Sequence, residues 1–201
     1  MPHYFDTRNP DCAFNMYKHL SSLLKIHNVQ KRPIIIMCIG SDRSTGDSLG
    51  PMIGYKLSKY SYKNVHIYGT LHEPVHAANL EQAIKNVSAT YRNPYIIAID
   101  ASLGQRNHIG YITLGTGPLK PGLGVQKKLP EVGDIHITGI VNTFGNMNNV
   151  LLQTTRLSYI MTIADAVSTA IINTMCSLER LSVYPYMQPS PDQPFQQYRI
   201  S

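Results

Sequence analysis

At 201 residues with 43% hydrophobic side chains, the chain is long enough to bury one substantial core and too short for two independent ones. Its net charge of +6 is scattered over Lys31, Arg32, Lys56, Lys59, Lys63, Lys120, Lys127 and Lys128 without a basic tract. No helix-turn-helix, zinc-finger or ribonucleoprotein motif accompanies that charge, so nucleic acid is not an expected partner.

Three widely separated cysteines, Cys12, Cys38 and Cys176, form no Cys-x-x-Cys pair and fit reduced thiols in a cytosol. The first eight residues lack the basic start and apolar centre of a secretory signal, so a cytoplasmic protein is expected.

Phe14, Tyr17, Leu20, Leu23 and Leu24 recur at spacings of three and four, which predicts an amphipathic helix over residues 13–27. Residues 33–39 are a continuous apolar run rich in isoleucine, the pattern of a strand covered on both faces in a parallel sheet. Gly40 ends it. Pro51 suits the first turn of a helix reaching Lys59, because a proline there gives up only an N–H without an intrahelical partner.

Residues 65–68 read as a short strand. Asn79, with Gln82 three residues on, predicts a capping box for a helix through Val87. Strands are expected over 95–100 and 109–114, then a Gly, Pro and Lys-rich connection over 116–133, long enough to be a functional loop.

Residues 134–141 are expected to be the last strand. Leu157, Ile160, Met161, Ala164, Val167 and Ile171 mark a final long helix, which Asp165, Ser168, Thr169 and Asn173 make wrong for a membrane span. It is read as packing on the sheet, with a homo-oligomer through its Met, Ile and Tyr residues as the alternative.

Strands alternating with helices argue for a three-layer α/β/α sandwich with a mostly parallel central sheet, in a single peptidase-like domain spanning 1–201. Its core covers about 33–175, and 183–201 form a Pro and Gln-rich tail.

Asp47 and Asp100 both follow strands at the carboxyl edge of that sheet, where ligands collect. Asp47 also suits a helix N-cap, as does Ser48, and Asp100 suits a strand end satisfied by loop amides. Two carboxylates in one site cannot both ionise freely, so one holds a proton while the other activates water, the division of labour that peptide-bond hydrolysis needs. Gly46 and Gly50 allow a close backbone approach beside them.

His136, on the neighbouring strand, would complete a set of two oxygens and a nitrogen for a divalent metal. His72 and His76 imitate metal spacing, but Pro74 breaks the helix such a motif requires. Asp42, Arg43 and Ser44 share the Asp47 loop and could orient a substrate. The Gly40 loop has neither a dinucleotide fingerprint nor a phosphate-loop ending, and Ser102 and the cysteines have no nucleophile context.

Gly40 through Pro51, Ile97-Ala98-Ile99-Asp100-Ala101 and Gly122-Leu123-Gly124-Val125 resemble the spore protease family, most closely its short YyaC branch of sporulation proteins, over about residues 33–175. The germination protease of that family degrades small acid-soluble spore proteins and is regarded as an atypical aspartic-type peptidase with two essential aspartates. The resemblance implies that Asp47, in Asp-Ser-Leu-Gly-Pro, and Asp100 occupy those two places. It further implies a sporulation endopeptidase of the forespore or spore cytoplasm, acting on a protein or peptide substrate such as a spore protein, with no membrane partner.

Gly46, Ser48, Gly122 and Gly124 are the residues expected to hold that substrate. The fold implied also resembles that of hydrogenase maturation endopeptidases, whose metal-sensing carboxylates occupy the same two places and whose histidine lies in His-x-x-Gly-Leu, close to His136-Ile137-Thr138-Gly139-Ile140 here. No cofactor is required for the carboxylate mechanism; nickel or zinc held by Asp47, Asp100 and His136 is the metal-assisted alternative. A catalytically silent peptide-binding protein is the other. The chain departs from both families at Ser41, where they commonly carry asparagine, and is much shorter than the germination protease.

Overall fold

A computed structural model describes residues 2–122, 129–145 and 148–185, with the backbone alone for 148–149 and 181–185. β2 (Ile34–Cys38) is buried at all five positions, because it is flanked by parallel strands on both sides and covered on both faces. Its neighbours are β4 (Val65–Tyr68) and β5 (Tyr95–Gly104). The six-stranded sheet continues from β5 to β7 (Ile135–Thr143), which is parallel to it. Beyond β7 lie β6 (Tyr111–Thr116) and the edge strand β1 (His3–Asp6), each antiparallel to its neighbour, giving the order β1-β6-β7-β5-β2-β4. The fold is therefore α/β with a mostly parallel sheet.

From β2 the chain steps outward to β4, then returns past β2 to β5, so the order reverses between β2 and β5. Right-handed crossovers in opposite directions send the two connecting helices to opposite faces. α2 (Leu49–Leu57) packs with α1 (Cys12–Ile26) and α5 (Leu157–Ser177) over one face. α3 (Leu80–Thr90) covers the other, with Leu119 and Val132.

α1 turns Cys12, Met16, Leu20 and Leu24 inward, and Phe14, expected in that stripe, is exposed. α5 is long and apolar enough to cross a membrane by length and composition alone. Its Ile160, Ile163, Ala164, Val167, Ala170, Ile171 and Met175 are nevertheless fully buried against the sheet and α1, as in the core helix of a folded domain.

Several expectations are corrected. Residues 134–141 are not the last strand, because β8 (Leu181–Pro185) follows and pairs with β3 (Tyr60–Tyr62) in a separate two-stranded sheet. The capping box at Asn79 does not form. Asn79 Oδ1 accepts the His76 N–H at 2.8 Å, and Gln82 donates instead to Asn86 Oδ1 at 2.8 Å. A short helix, α4 (Asn148–Gln153), arises where no element was expected. All three cysteines are free thiols, and burial pushes the Cys12 thiol up to about 11.

Arg180, 6% exposed, ties the C-terminal end of α5 to the entrance of the sheet. Its guanidinium donates to the carbonyls of Val29 at 2.8 Å, Gln30 at 2.5 Å, Arg32 at 3.0 Å and Asn64 at 3.1 Å. Arg180→Ala leaves those acceptors without their shared donor. A loss of about 3 kcal/mol is expected in denaturant unfolding, and a loss below about 1 kcal/mol would contradict this role.

Candidate functional site

Asp47 lies in a single 3-10 turn, Gly46–Ser48, that runs straight into α2. The loop folds tightly over the end of β2 because two glycines permit it. A Cβ on Gly40 would stand 2.0 Å from the Asp47 carbonyl, and one on Gly50 would stand 2.1 Å from the Ile39 carbonyl. The Ser41 N–H closes the loop by donating to the Asp47 carbonyl at 3.1 Å. Asp47 does not serve as the α2 N-cap; that position belongs to Ser48, whose hydroxyl donates to the Thr45 carbonyl at 2.7 Å.

Asp100 is not at a strand end. β5 runs on to Gly104, but its pairing with β2 stops at Ile99, whose carbonyl accepts the Ile39 N–H at 2.7 Å. Asp100 is thus the first β5 residue past the end of β2, at the point where the strand order reverses. Its side chain is on the face of the sheet opposite to Ile99, the face that carries Ala98.

Asp47 and Asp100 line one cavity of about 260 Å³, together with Arg43, Ser44 and His76. The 116–133 connection contributes Pro121, Gly122 and Leu129 to its wall, and α4 contributes Leu152 and Gln153. Leu119 and Val132 pair across the two arms of that connection at 2.8 and 3.0 Å, which holds those arms together beside the site. Gly122 therefore lies where a substrate contact was expected, and Gly124 lies outside the described residues.

Gly46 and Ser48, read from the sequence as substrate contacts, lie behind the loop. A Cβ on Gly46 would stand 2.9 Å from Leu152 Cα, so this glycine seats α4. Ser48 is buried with its hydroxyl committed to Thr45.

The two carboxyls have different surroundings. Asp100 is 7% exposed. Burial first, and then the neighbouring Asp47 charge, hold its pKa well above the ordinary 3.8, against one opposing hydrogen bond from the Ala101 N–H at 2.7 Å. Asp47 is half-buried, and burial raises it too, but the Ser41 N–H and His76 favour its charged form. Protons therefore leave Asp47 first and Asp100 last. The cavity thus holds two inequivalent carboxyls, with the proton favoured on Asp100.

His76, set aside in the sequence because Pro74 breaks the helix a metal motif requires, lines this cavity. The main chain around it is stapled to the sheet by a bridge between Ile39 and Val75, with the Gly40 N–H donating to the Val75 carbonyl at 2.8 Å. Its Nδ1 accepts the Ala78 N–H at 3.3 Å. Its place in the cavity comes from the bridge at Val75 and not from helical spacing with His72.

His136 goes elsewhere. It pairs with Ala98 on one side and Gly115 on the other, one pleat before the level of Asp100, and its Nδ1 meets the Gly117 carbonyl at 3.0 Å. Its Nε2 would lie 2.7 Å from a Cβ on Gly115, so the ring lies across that glycine. The donor set Asp47, Asp100 and His136 is not brought together, and no group of three or more His, Cys, Asp or Glu able to hold a metal occurs among the described residues. These residues do not fit the metal-assisted arrangement.

Two known proteins are similar to the chain. It is 51% identical over 137 residues to the "Uncharacterized protein YyaC" of Bacillus subtilis (strain 168), covering 68% of this chain and 67% of that protein. The YyaC resemblance carried by the Gly40–Pro51 and Asp100 segments therefore stands. Its structure is similar to that of the [NiFe] hydrogenase maturation protease HycI from Thermococcus kodakarensis KOD1, with a TM-score of 0.50 over 79% of this chain and 99% of that one. At 14% identity this likeness speaks for the fold alone. The chain belongs to the family described as "Protein of unknown function (DUF1256)", whose model matches residues 5–170.

Proposed function

We propose that this chain is an endopeptidase in which Asp47 and Asp100 divide the base and acid roles. The observation that carries the reading is their inequivalence within one cavity: Asp100 is buried, with its pKa held well above the ordinary value, and Asp47 is half-buried, with its charged form favoured by the Ser41 N–H and His76. Asp47 takes a proton from a water as its oxygen attacks the scissile carbonyl carbon. Asp100 gives its proton to the carbonyl oxygen, forming a gem-diol; the proton gained by Asp47 passes to the departing amine as the C–N bond breaks, and a gem-diol hydroxyl returns its proton to Asp100 as the new carboxyl forms. No metal enters any step.

The YyaC resemblance makes a spore protein in the forespore or spore cytoplasm the substrate of choice. Incubation with small acid-soluble spore proteins should yield discrete fragments, and the Asp47→Asn, Asp100→Asn double variant should yield none. Intact substrate with the unaltered chain, together with measurable binding, would replace this reading by that of a silent peptide-binding protein.

The activity should follow a bell in pH, with Asp47 on the acid limb and Asp100 on the alkaline limb. A charged His76 lowers the Asp47 pKa. His76→Ala should therefore move the acid limb to higher pH in a cleavage profile, and an unmoved limb would contradict the pairing.

A further inference from the structure

β4 forms one edge of the six-stranded sheet, and among the described residues nothing pairs with its outer side. Ile34 donates its N–H to the Asn64 carbonyl at 3.1 Å, and the register sets Ile34 beside Val65 and Ile36 beside Ile67. In an evenly spaced parallel ladder this turns the main-chain groups of Asn64, His66 and Tyr68 toward β2, and those of Val65 and Ile67 away from it. Among the described residues, β4 pairs with β2 alone.

Along that edge runs a groove of about 810 Å³. Tyr60 and Tyr62 of β3 wall one side, and Tyr91, whose ring stands 4.4 Å from that of His66, walls the other. Its described lining contains no Lys or Arg, so a phosphate backbone has nothing there to pair with. Unpaired main-chain donors and acceptors between aromatic walls match an extended peptide instead. β4 is parallel to β2, so its carboxyl end lies at the same sheet edge as Asp47. His76 lines this groove and the Asp47–Asp100 cavity alike, which sets the two on either side of one side chain.

We propose that the β4 edge receives the substrate as an added β-strand. A proline-free extended stretch of about four residues, matching the roughly 13 Å length of β4 at 3.3 Å per residue, hydrogen-bonds to Val65 and Ile67. The chain beyond it passes His76 into the carboxylate cavity. The substrate must then be unfolded next to the scissile bond, and alternate side chains, which face the tyrosine walls, set preference. This inference rests on the peptidase reading for what happens at the end of the groove, whereas the docking itself requires no cleavage.

The test is NMR and hydrogen exchange on the full chain carrying Asp100→Asn. The probe is a capped nonapeptide in which valine alternates with threonine between terminal lysines, set against a twin N-methylated at every second residue. Val65 and Ile67 amides should exchange readily in the free chain, slow at least tenfold with the peptide, and respond at least tenfold more weakly to the methylated twin.

Equal binding of the twins, no binding, or shifts confined to other strands would overturn the proposal. So would Val65 and Ile67 amides already protected in the free chain: with concentration-dependent dimerisation the occupant is a second copy, and without it a segment of the same chain. Cleavage by the unaltered chain without a β4 response sinks the docking alone. A β4 response without cleavage sinks the peptidase reading alone.

Discussion

Asp100→Asn is expected to reduce cleavage by about 10²–10⁴-fold, the usual share of a general acid, while making the protein harder to unfold at neutral pH. Both effects come from one cause. Asp100 is buried beside Asp47 with its pKa held well above 3.8, so above pH 3.8 the folded chain keeps a proton that the unfolded chain releases. Stability is complete below that pH and declines as pH rises toward the folded-state value.

Asparagine has nearly the same shape, keeps an oxygen for the Ala101 N–H, and carries no proton to lose. Urea unfolding from acid to neutral pH should show a decline in the unaltered chain that is reduced in the variant. Matching pH dependence in the two would mean that Asp100 is solvated like an ordinary carboxylate. Asp47→Asn should lose as much activity with a smaller stability gain, because Asp47 is less buried and the Ser41 N–H and His76 already favour its charge.

Gly40→Ala is expected to cost about 3 kcal/mol or more in stability, combining a strained backbone with an overpacked site, and about 10²-fold in activity from displaced catalytic geometry. Gly40 has φ +140, and its Cβ would stand 2.0 Å from the Asp47 carbonyl. That carbonyl accepts the bond from Ser41 that shapes the loop, so relief of the clash must move Asp47 itself. Gly117→Ala is the control. At φ +91 with nothing within 4 Å of its Cβ, it isolates the backbone strain, which should cost about 1–2 kcal/mol. Similar losses in unfolding and cleavage for the two variants would remove the close approach as the reason for Gly40.

The parallel core was legible because its strands carry their own signal. Ile34, Ile35 and Ile36 in β2 and the apolar start of β5 are buried on both faces, a pattern that needs no knowledge of partners. β1, β3 and β8 were not legible, since three to five residues are strands only by virtue of distant partners such as Tyr111–Thr116 for β1, and no position of β1 or β3 is buried.

The same limit shaped the site. Asp47 and Asp100 could be assigned to one sheet edge, because each follows an apolar run that shows direction. The true position of Asp100, in mid-strand beyond the end of β2, depends on where a neighbour stops. His136 attracted attention for its motif, whereas His76 reaches the cavity through the bridge between Ile39 and Val75 that no local pattern encodes. Leu152 and Gln153 arrive on α4, whose six residues are too few to show a helical period.

The unequal proton affinity of the two carboxyls is read directly by carbon-13 NMR titration of the aspartate side chains. Asp47 should lose its proton at a pH above 3.8, and Asp100 should keep its own well beyond that point, with its titration displaced downward in the Asp47→Asn variant. Both groups titrating near 3.8, each indifferent to loss of the other, would show that they share no site.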